Sequence, residues 1–430
     1  MTSDKGGHDE AYIWAWLPNA TEPVVAGRLW RDGERLLFNY GRSYLDRADA
    51  IPIYEPELPL KAGALAPIAG LTVPGCIRDA APDAWGRRVI LNRLFGARGA
   101  ALDPGSVDEL SYLLESGSDR IGGLDFQVSA TEYVPRAAKA ASLDELLNAA
   151  AKVEAGVPLT PELDQALFHG SSLGGARPKA MIEEDDKKWI AKFSSTTDTY
   201  NVVKSEFVAM RMATLVGLNV APVRLERAAG KDVLLIERFD RHRTNGSWQR
   251  KLMVSALTMF GLDEMMARYT SYEDLAEVIR HRFVHPKETL RELYGRLVFN
   301  ILCGNTDDHA RNHAAFWDGT ALALTPAYDI CPQARTGNQA SQAMLITGEE
   351  RASTLALCLK AAIHFHLEED EAIALIETQI ETIRDRLESV CSEAALSEVE
   401  RNMLVRRQFL NPFIFEGTPD RLRAHGGTLS

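Results

Sequence analysis

The sequence predicts an α+β chain, with strand-patterned and mixed segments up to about residue 250 and helical segments dominating beyond it. Two observations carry this. Between Ala11 and Tyr54 the apolar residues sit in short runs broken by Pro18-Asn19 and Asp32-Gly33, as half-buried strands do. From Ser271 onward they recur at three- and four-residue spacing, most clearly at Leu290, Leu293, Leu297, Val298, Ile301 and Leu302, which is the stripe of a buried helix face. With 430 residues, 46% hydrophobic and 25% charged, the chain can bury the cores of two or three domains.

Taken in order, the break at Asp32-Gly33 predicts a type I′ hairpin turn. Arg78–Phe95 predicts a helix with Asp79 as its cap and Pro82 in its first turn, and Asp108–Glu115 a second, shorter one. Ser118–Val128 reads as a turn leading into a strand. These elements make a first part, 11–140. Ala141–His169 has helical spacing. The small-residue stretch Gly170–Lys179 then opens a hairpin, Met181-Ile182 before a charged turn and Trp189–Phe193 after it. Asn201–Val216 is an amphipathic helix ended by Gly217, followed by strands at Val220–Leu225 and Asp232–Ile236. These make a second part, 141–250. The third part, 251–416, is expected to be an all-helical lobe. Its helices fall at Ser271–Phe283, Pro286–Cys303, Ala352–Phe365, Glu369–Cys391 and Glu393–Arg407.

The formal net charge of −12 disfavours unaided binding to nucleic acid or an anionic membrane, both of which need clustered Lys and Arg. The five cysteines show no CxxC pair, the N-terminal residues form no apolar signal core, and no apolar run reaches the length of a membrane span. A cytoplasmic, reducing location is expected.

The densest cluster of reactive side chains is Asn305-Thr306-Asp307-Asp308-His309-Ala310-Arg311-Asn312, at the end of a helix. Asp307 can accept a hydroxyl proton. Asn312, five residues on, and Asp329, after a β-type pair of runs, can hold Mg²⁺ through hard oxygens. A capped loop at a helix end reads equally well from this stretch alone. The pair His309 and His313 lacks the glutamate of a zinc-protease helix and any cysteine ligand. In Ser171-Ser172-Leu173-Gly174-Gly175 the glycines allow backbone N–H groups to approach phosphate, or they form an ordinary turn. Lys192, among the apolar residues of Trp189–Phe193, either meets a phosphate or snorkels from a sheet edge, with Glu206 as a possible partner. Glu237-Arg238-Phe239 is either a lobe-joining segment offering backbone groups to adenine or a plain strand end.

Together these segments resemble the HipA family, the serine/threonine kinase toxins of bacterial toxin–antitoxin systems. The resemblance rests on "VAGRLWRDGERLLFNY" and "APDAWGRRVILNRL" in the first part. In the rest it rests on "SSLGGARPKA", "WIAKF", "KSEFVAMRMATLVGLNVAP", "LLIERFDR", "NILCGNTDDHARNHA" and "LTPAYDI". It implies a two-lobed protein-kinase-like fold with an extra mixed N-terminal subdomain, and ATP and Mg²⁺ as the groups handled. Asp307 would be the catalytic base, and Asn312 and Asp329 the metal ligands. Lys192 would meet the ATP phosphates, with Ser172, Gly174 and Gly175 in the phosphate loop. Glu237, Arg238 and Phe239 would be the hinge, and His309 and Tyr328 neighbours of the nucleotide. Ser172 matches the autophosphorylated serine, whose modification expels the loop in the family. The resemblance also implies a helix-turn-helix antitoxin (HipB-like) that carries the DNA contact, and an aminoacyl-tRNA synthetase as the default target. A non-catalytic kinase-fold regulator and a small-molecule phosphotransferase are the alternative readings.

Overall fold

Four antiparallel strands open the chain: β1 (Glu10–Ala15), β2 (Val24–Asp32), β3 (Arg35–Tyr40) and β4 (Leu124–Gln127), in the spatial order β3-β2-β1-β4. Ile13, Leu29, Phe38 and Phe126 point into their core. Asp32 pairs with Arg35, so the two loop residues are Gly33 and Glu34, and only Gly33 has a positive φ, at 62°. Glycine in the first loop position is the type II′ pattern rather than the expected type I′. The structure, a computed structural model, describes residues 8–137, 140–335 and 337–426.

The helix expected from Arg78 starts later, at Ala84–Phe95 with Asp83 as its cap residue, and Asp79 instead closes a short helix at Gly75–Arg78. The ring of Pro82 disfavours helical backbone at Ala81, so the long helix begins beyond the proline. Asp108 caps the helix Glu109–Glu115 by accepting from the Ser111 N–H.

A second sheet holds β5 (Lys179–Glu184), β6 (Lys187–Phe193), β7 (Val223–Ala228) and β8 (Lys231–Glu237), in the order β5-β6-β8-β7. Asp185 and Asp186, both at positive φ, form the turn between β5 and β6. Alternation along the strands sorts the residues into two faces. Ala180, Trp189, Ala191, Phe193, Val233 and Leu235 join one core with Trp85 and Val89 of helix Ala84–Phe95 and with Leu146, Leu147 and Val153 of helix Leu143–Glu154. A helix of the N-terminal part is thus built into the core beneath the second sheet. Accordingly Met1–Thr197, Glu226–Val254 and Phe316–Thr320 form one compact unit, and Asp198–Leu225, Ser255–Ala315 and Ala321–Ser430 form another. A hairpin not expected from the sequence follows, β9 (Arg241–Thr244) and β10 (Ser247–Arg250), joined through Asn245 and Gly246, both at positive φ.

The second unit contains the helices Val202–Leu215, Tyr272–Arg282, Pro286–Cys303 and Glu369–Glu393. Pro286 occupies the first turn of its helix, and Gly304 ends that helix in the left-handed conformation, φ 76°. A Cβ there would lie 3.0 Å from the Gln408 carbonyl oxygen, so glycine is required by both strain and space. The C-terminal part is not all-helical as expected. After the short strand β11 (Leu252–Ser255) come β12 (Ala314–Trp317) and β13 (Leu322–Leu324), and the Thr325 N–H donates to the Ala314 carbonyl at 3.0 Å. Two short apolar runs around a turn satisfy their backbone as a hairpin where neither is long enough for a stable helix. The expected helix Glu393–Arg407 reduces to Glu398–Met403 with a π turn after it. All five cysteines are buried and outside any disulfide, and among the described residues no helix is long and apolar enough to cross a membrane.

Candidate active site

In the second unit the loop after Pro286–Cys303 is held from several sides. Arg296, buried in the helix, donates to Glu292 (2.8 Å) and to the carbonyls of Asn219 (3.2 Å) and Thr325 (2.8 Å). The Asn305 N–H and side-chain amide both bond to Asn300, at 2.8 and 3.0 Å. The Gly304 and Thr306 carbonyls accept from the N–H groups of Gln333 and Ala343. The Asp307 carbonyl accepts from the His309 N–H (3.0 Å) and from Asn312 Nδ2 (3.2 Å), and the His309 carbonyl accepts from the Asn312 N–H (2.8 Å). The spacing of five residues therefore closes on itself, and Asn312 is tied to the residue expected to be the base.

Asp329 arrives on a separately anchored segment. Ala327 exchanges hydrogen bonds with Asn219 and Ala221, at 2.8 and 2.9 Å, and the Tyr328 hydroxyl donates to the Arg311 carbonyl at 2.7 Å. Tyr328 thereby fixes the turn Ala310–Asn312 to the segment bearing Asp329. Asp329 itself has φ 58°, a conformation that costs a non-glycine residue on the order of 1 kcal/mol or more and concentrates at functional sites. Burial raises the Asp307 carboxyl above the usual carboxylate range; the nearby His309 pulls it back, and the charge of Asp329 pushes it up again.

Two carboxylates that repel each other, beside an amide whose Nδ2 is already engaged and whose acceptor is Oδ1, suit a hard cation. Among the described residues no group of three or more His, Cys, Asp or Glu could hold a metal ion. A metal taken here would use Asp329 and Asn312 and complete its shell with water and substrate oxygens, which is the habit of Mg²⁺. The donor set fits that ion.

Asp308, next to the expected base, faces the interior. It is buried, with its carboxylate accepting from the Tyr272 hydroxyl and lying 3.1 Å from His313 Nε2. The Tyr272 and His313 rings meet edge to face, 5.5 Å between centroids. The His313 carbonyl accepts from the Ala256 N–H. Asp308 thus ties the loop to the start of the helix Tyr272–Arg282 and to the residue preceding β12.

In the first unit, the face of the second sheet opposite the helix-packed core carries Lys179, Met181, Ile190, Lys192, Leu234 and Ile236. Lys179 and Lys192 are direct antiparallel partners, so both lysines stand side by side on this face, each more than nine-tenths buried. Lys179 Nζ also donates to the Gly174 carbonyl. Sequence reading singled out Lys192 and overlooked Lys179; strand pairing across the turn at Asp185-Asp186 was the signal. The glycine loop rests on the helix Ala84–Phe95: the Gly175 N–H donates to Asp83 (2.6 Å), and the Trp85 N–H to the Gly175 carbonyl (3.2 Å). A Cβ on Gly86 would lie 2.3 Å from the Ser171 carbonyl oxygen, so only glycine allows this seat. Ser171 and Ser172 are buried, and the Ser171 hydroxyl donates to the Phe168 carbonyl and accepts from the Gly117 N–H.

At the expected hinge, Glu237 ends β8 and pairs with Lys187 at 2.7 Å. Phe239 packs edge to face on Phe316. The guanidinium of Arg238 is committed to Asp119 and Asp240, and the backbone N–H of the same residue donates to the Lys188 carbonyl. The charge of Arg238 is therefore answered within the protein.

The chain matches the HipA-like C-terminal domain over residues 171–395 and the HipA N-terminal domain over residues 20–127. The first match alone covers more than half of the chain, and the protein belongs to the HipA family. Among curated relatives, the serine/threonine-protein kinase toxin HipA of Shewanella oneidensis is 24% identical over 183 residues, 37% of this chain and 42% of the relative. Y4mE of Sinorhizobium fredii is 30% identical over 147 residues, 33% of each chain. The chain thus aligns with less than half the length of either. The fold matches HipA in the solved complex of the Shewanella oneidensis toxin–antitoxin system HipA, HipB and its operator DNA. The TM-score is 0.66 and the identity 18%, over 94% of this chain and 95% of that one.

Proposed function

We propose that this protein is an ATP-dependent serine/threonine protein kinase acting as the toxin of a toxin–antitoxin pair. The observation that carries the reading is the bonding of Asn312 to the Asp307 carbonyl, with Asp329 close enough to raise the Asp307 carboxyl. Asp307 takes the proton of the attacking hydroxyl, and a carboxyl held less acidic by burial is the better acceptor. Asn312 and Asp329 would hold Mg²⁺, which when bound neutralises charge on the transferred phosphoryl group. Lys192 contacts the ATP phosphates, and its strand partner Lys179 joins it. Gly174 and Gly175 line the phosphate loop, the backbone of Glu237 to Phe239 faces adenine, and His309 and Tyr328 flank the nucleotide.

Ser172 is the self-modified residue in this reading. Its seat is buried, and a doubly charged phosphoserine cannot be kept there without an answering charge. Modification would force the loop out and silence the enzyme. The division into parts 11–140, 141–250 and 251–416 assigns these roles to a family-specific subdomain and two kinase lobes. The target is a translation factor such as an aminoacyl-tRNA synthetase, in the cytoplasm. A HipB-like helix-turn-helix antitoxin supplies the DNA contact, in keeping with a net charge of −12 on this chain. Expression of the wild type against Asp307→Asn, followed by mass-spectrometric comparison of phosphoproteins, tests the reading. One or a few serine or threonine sites should gain phosphate with the wild type alone. Identical phosphoprotein sets would overturn the proposal.

A further inference from the structure

Residues 118–122, between the helix Glu109–Glu115 and β4, have no part in the proposed phosphate transfer, yet they meet a heavily charged buried cluster. Asp119 accepts from Arg238 (3.1 Å) and Arg241 (2.9 Å) and pairs with Lys188. Asp240 accepts from both arginines, at 2.7 and 2.8 Å, and from the Gly122 N–H at 2.8 Å. The arginines reach back in turn. Arg238 donates to the Arg120 carbonyl at 2.6 Å, and Arg241 to the carbonyls of Arg120 and Gly122. Asp119, Arg238, Asp240 and Arg241 are all more than nine-tenths buried. The segment 238–241 is therefore clamped from the N-terminal side by charge and backbone together, and loss of one partner leaves an unanswered buried charge.

We propose that Asp119 is a positioning residue for nucleotide binding. Through Arg238 and Arg241, the N-terminal subdomain holds the hinge backbone at Arg238 and Phe239 in the conformation that receives the base. This rests on the assignment of residues 237–239 as the hinge. It gives the subdomain a part in catalysis: it touches neither phosphate nor target and sets the affinity for ATP.

The test uses the full chain and a fluorescent ATP analogue, whose equilibrium binding is read without turnover, alongside the KM for ATP and kcat of protein phosphorylation. Asp119→Asn should weaken analogue binding and raise the KM for ATP about tenfold or more, with kcat changed less than about threefold. Lys188→Met, which removes a partly exposed cation at the edge of the cluster, should fold and show a smaller shift in the same sense. Leu29→Ala, in the core of the first sheet, serves as a destabilised control and should lower Tm without moving the KM. A KM for ATP unchanged in folded Asp119→Asn, or moved equally by Leu29→Ala, overturns the inference. Should Asp119→Asn fail to fold, an unchanged KM in Lys188→Met overturns it. Wild-type protein that binds the analogue but transfers no phosphate refutes the kinase reading and leaves this one standing. Wild-type protein that binds no analogue refutes both.

Discussion

The segment at Asp307 and the segment at Arg238 are held in contrasting ways. Residues 304–312 are fixed mainly by neutral hydrogen bonds to backbone, with one buried carboxylate, Asp308, facing a tyrosine and a histidine. Residues 238–241 are fixed by two carboxylates and two arginines buried together, with Lys188 at the edge. A neutral network contributes about 1 kcal/mol per bond and loosens by degrees. A buried ion cluster returns little net stability while intact and fails abruptly when one member goes. Chemistry at the first segment should therefore separate from stability, whereas stability and ligand affinity should move together at the second.

The largest effect expected is on turnover. Asp307→Asn should cut phosphate transfer by on the order of 10³-fold and leave Tm within a degree or two of wild type, measured by calorimetry. A loss of Tm comparable to that of a core variant would blur the contrast, because it would make Asp307 structural. Next in size is Asp308→Ala, which leaves the Tyr272 hydroxyl and His313 without their acceptor and should cost roughly 2–3 kcal/mol in denaturant unfolding. Tyr272→Phe should cost less, about 1 kcal/mol. Equal losses from the two variants would show that Asp308 contributes nothing through His313.

The charged segment should reveal itself in acid. Burial alone would push Asp240 up, but Arg238 and Arg241 outweigh it and bring the carboxyl down to about 2. A carboxyl whose pKa is depressed on folding stabilises the protein above its unfolded value and loses that contribution as pH falls toward the folded one. The shift corresponds to roughly 2 kcal/mol, fully present above pH ~4 and lost between pH ~4 and ~2. Asp240→Asn should flatten the fall of stability in that window, and an unchanged acid profile would show that the cluster is not ionised as described. The smallest effect expected is at Ser172→Ala: Tm should hardly change, while label on the protein itself disappears and any transfer activity persists longer. Label that remains in this variant moves the modified residue to Ser171 or elsewhere.

The two segments also differed in how far they could be read from sequence. Asp307 and Asn312 lie in one loop and Asp329 a few residues beyond the short hairpin that follows, so their spacing suggested a set, although a capped loop matched the first stretch equally well. The clamp could not be read in this way. Asp119 and Arg238 are 119 residues apart, and only the folded sheet shows that a turn of the N-terminal part meets the end of β8. Asp308 followed the same rule: its partner Tyr272 is 36 residues away, so nothing in the spacing of the loop announced its buried contact. The hairpin β9–β10 was legible, since Asn-Gly between strand-like residues is a strong turn signal, but the flanking charges hid its strand character. Lys179 was legible by pairing across the turn and became evident as a partner of Lys192 only once the register was known.

The central claim is that Asp307, beside Asn312 and Asp329, makes this protein a protein kinase. Its most direct test is incubation of the purified full chain with γ-labelled ATP and Mg²⁺, with and without cell extract, against Asp307→Asn. Label is expected on the protein's own serine and on a small number of extract proteins, both absent from the variant. Label confined to a small metabolite, or equal labelling by the Asp307→Asn protein, would contradict it.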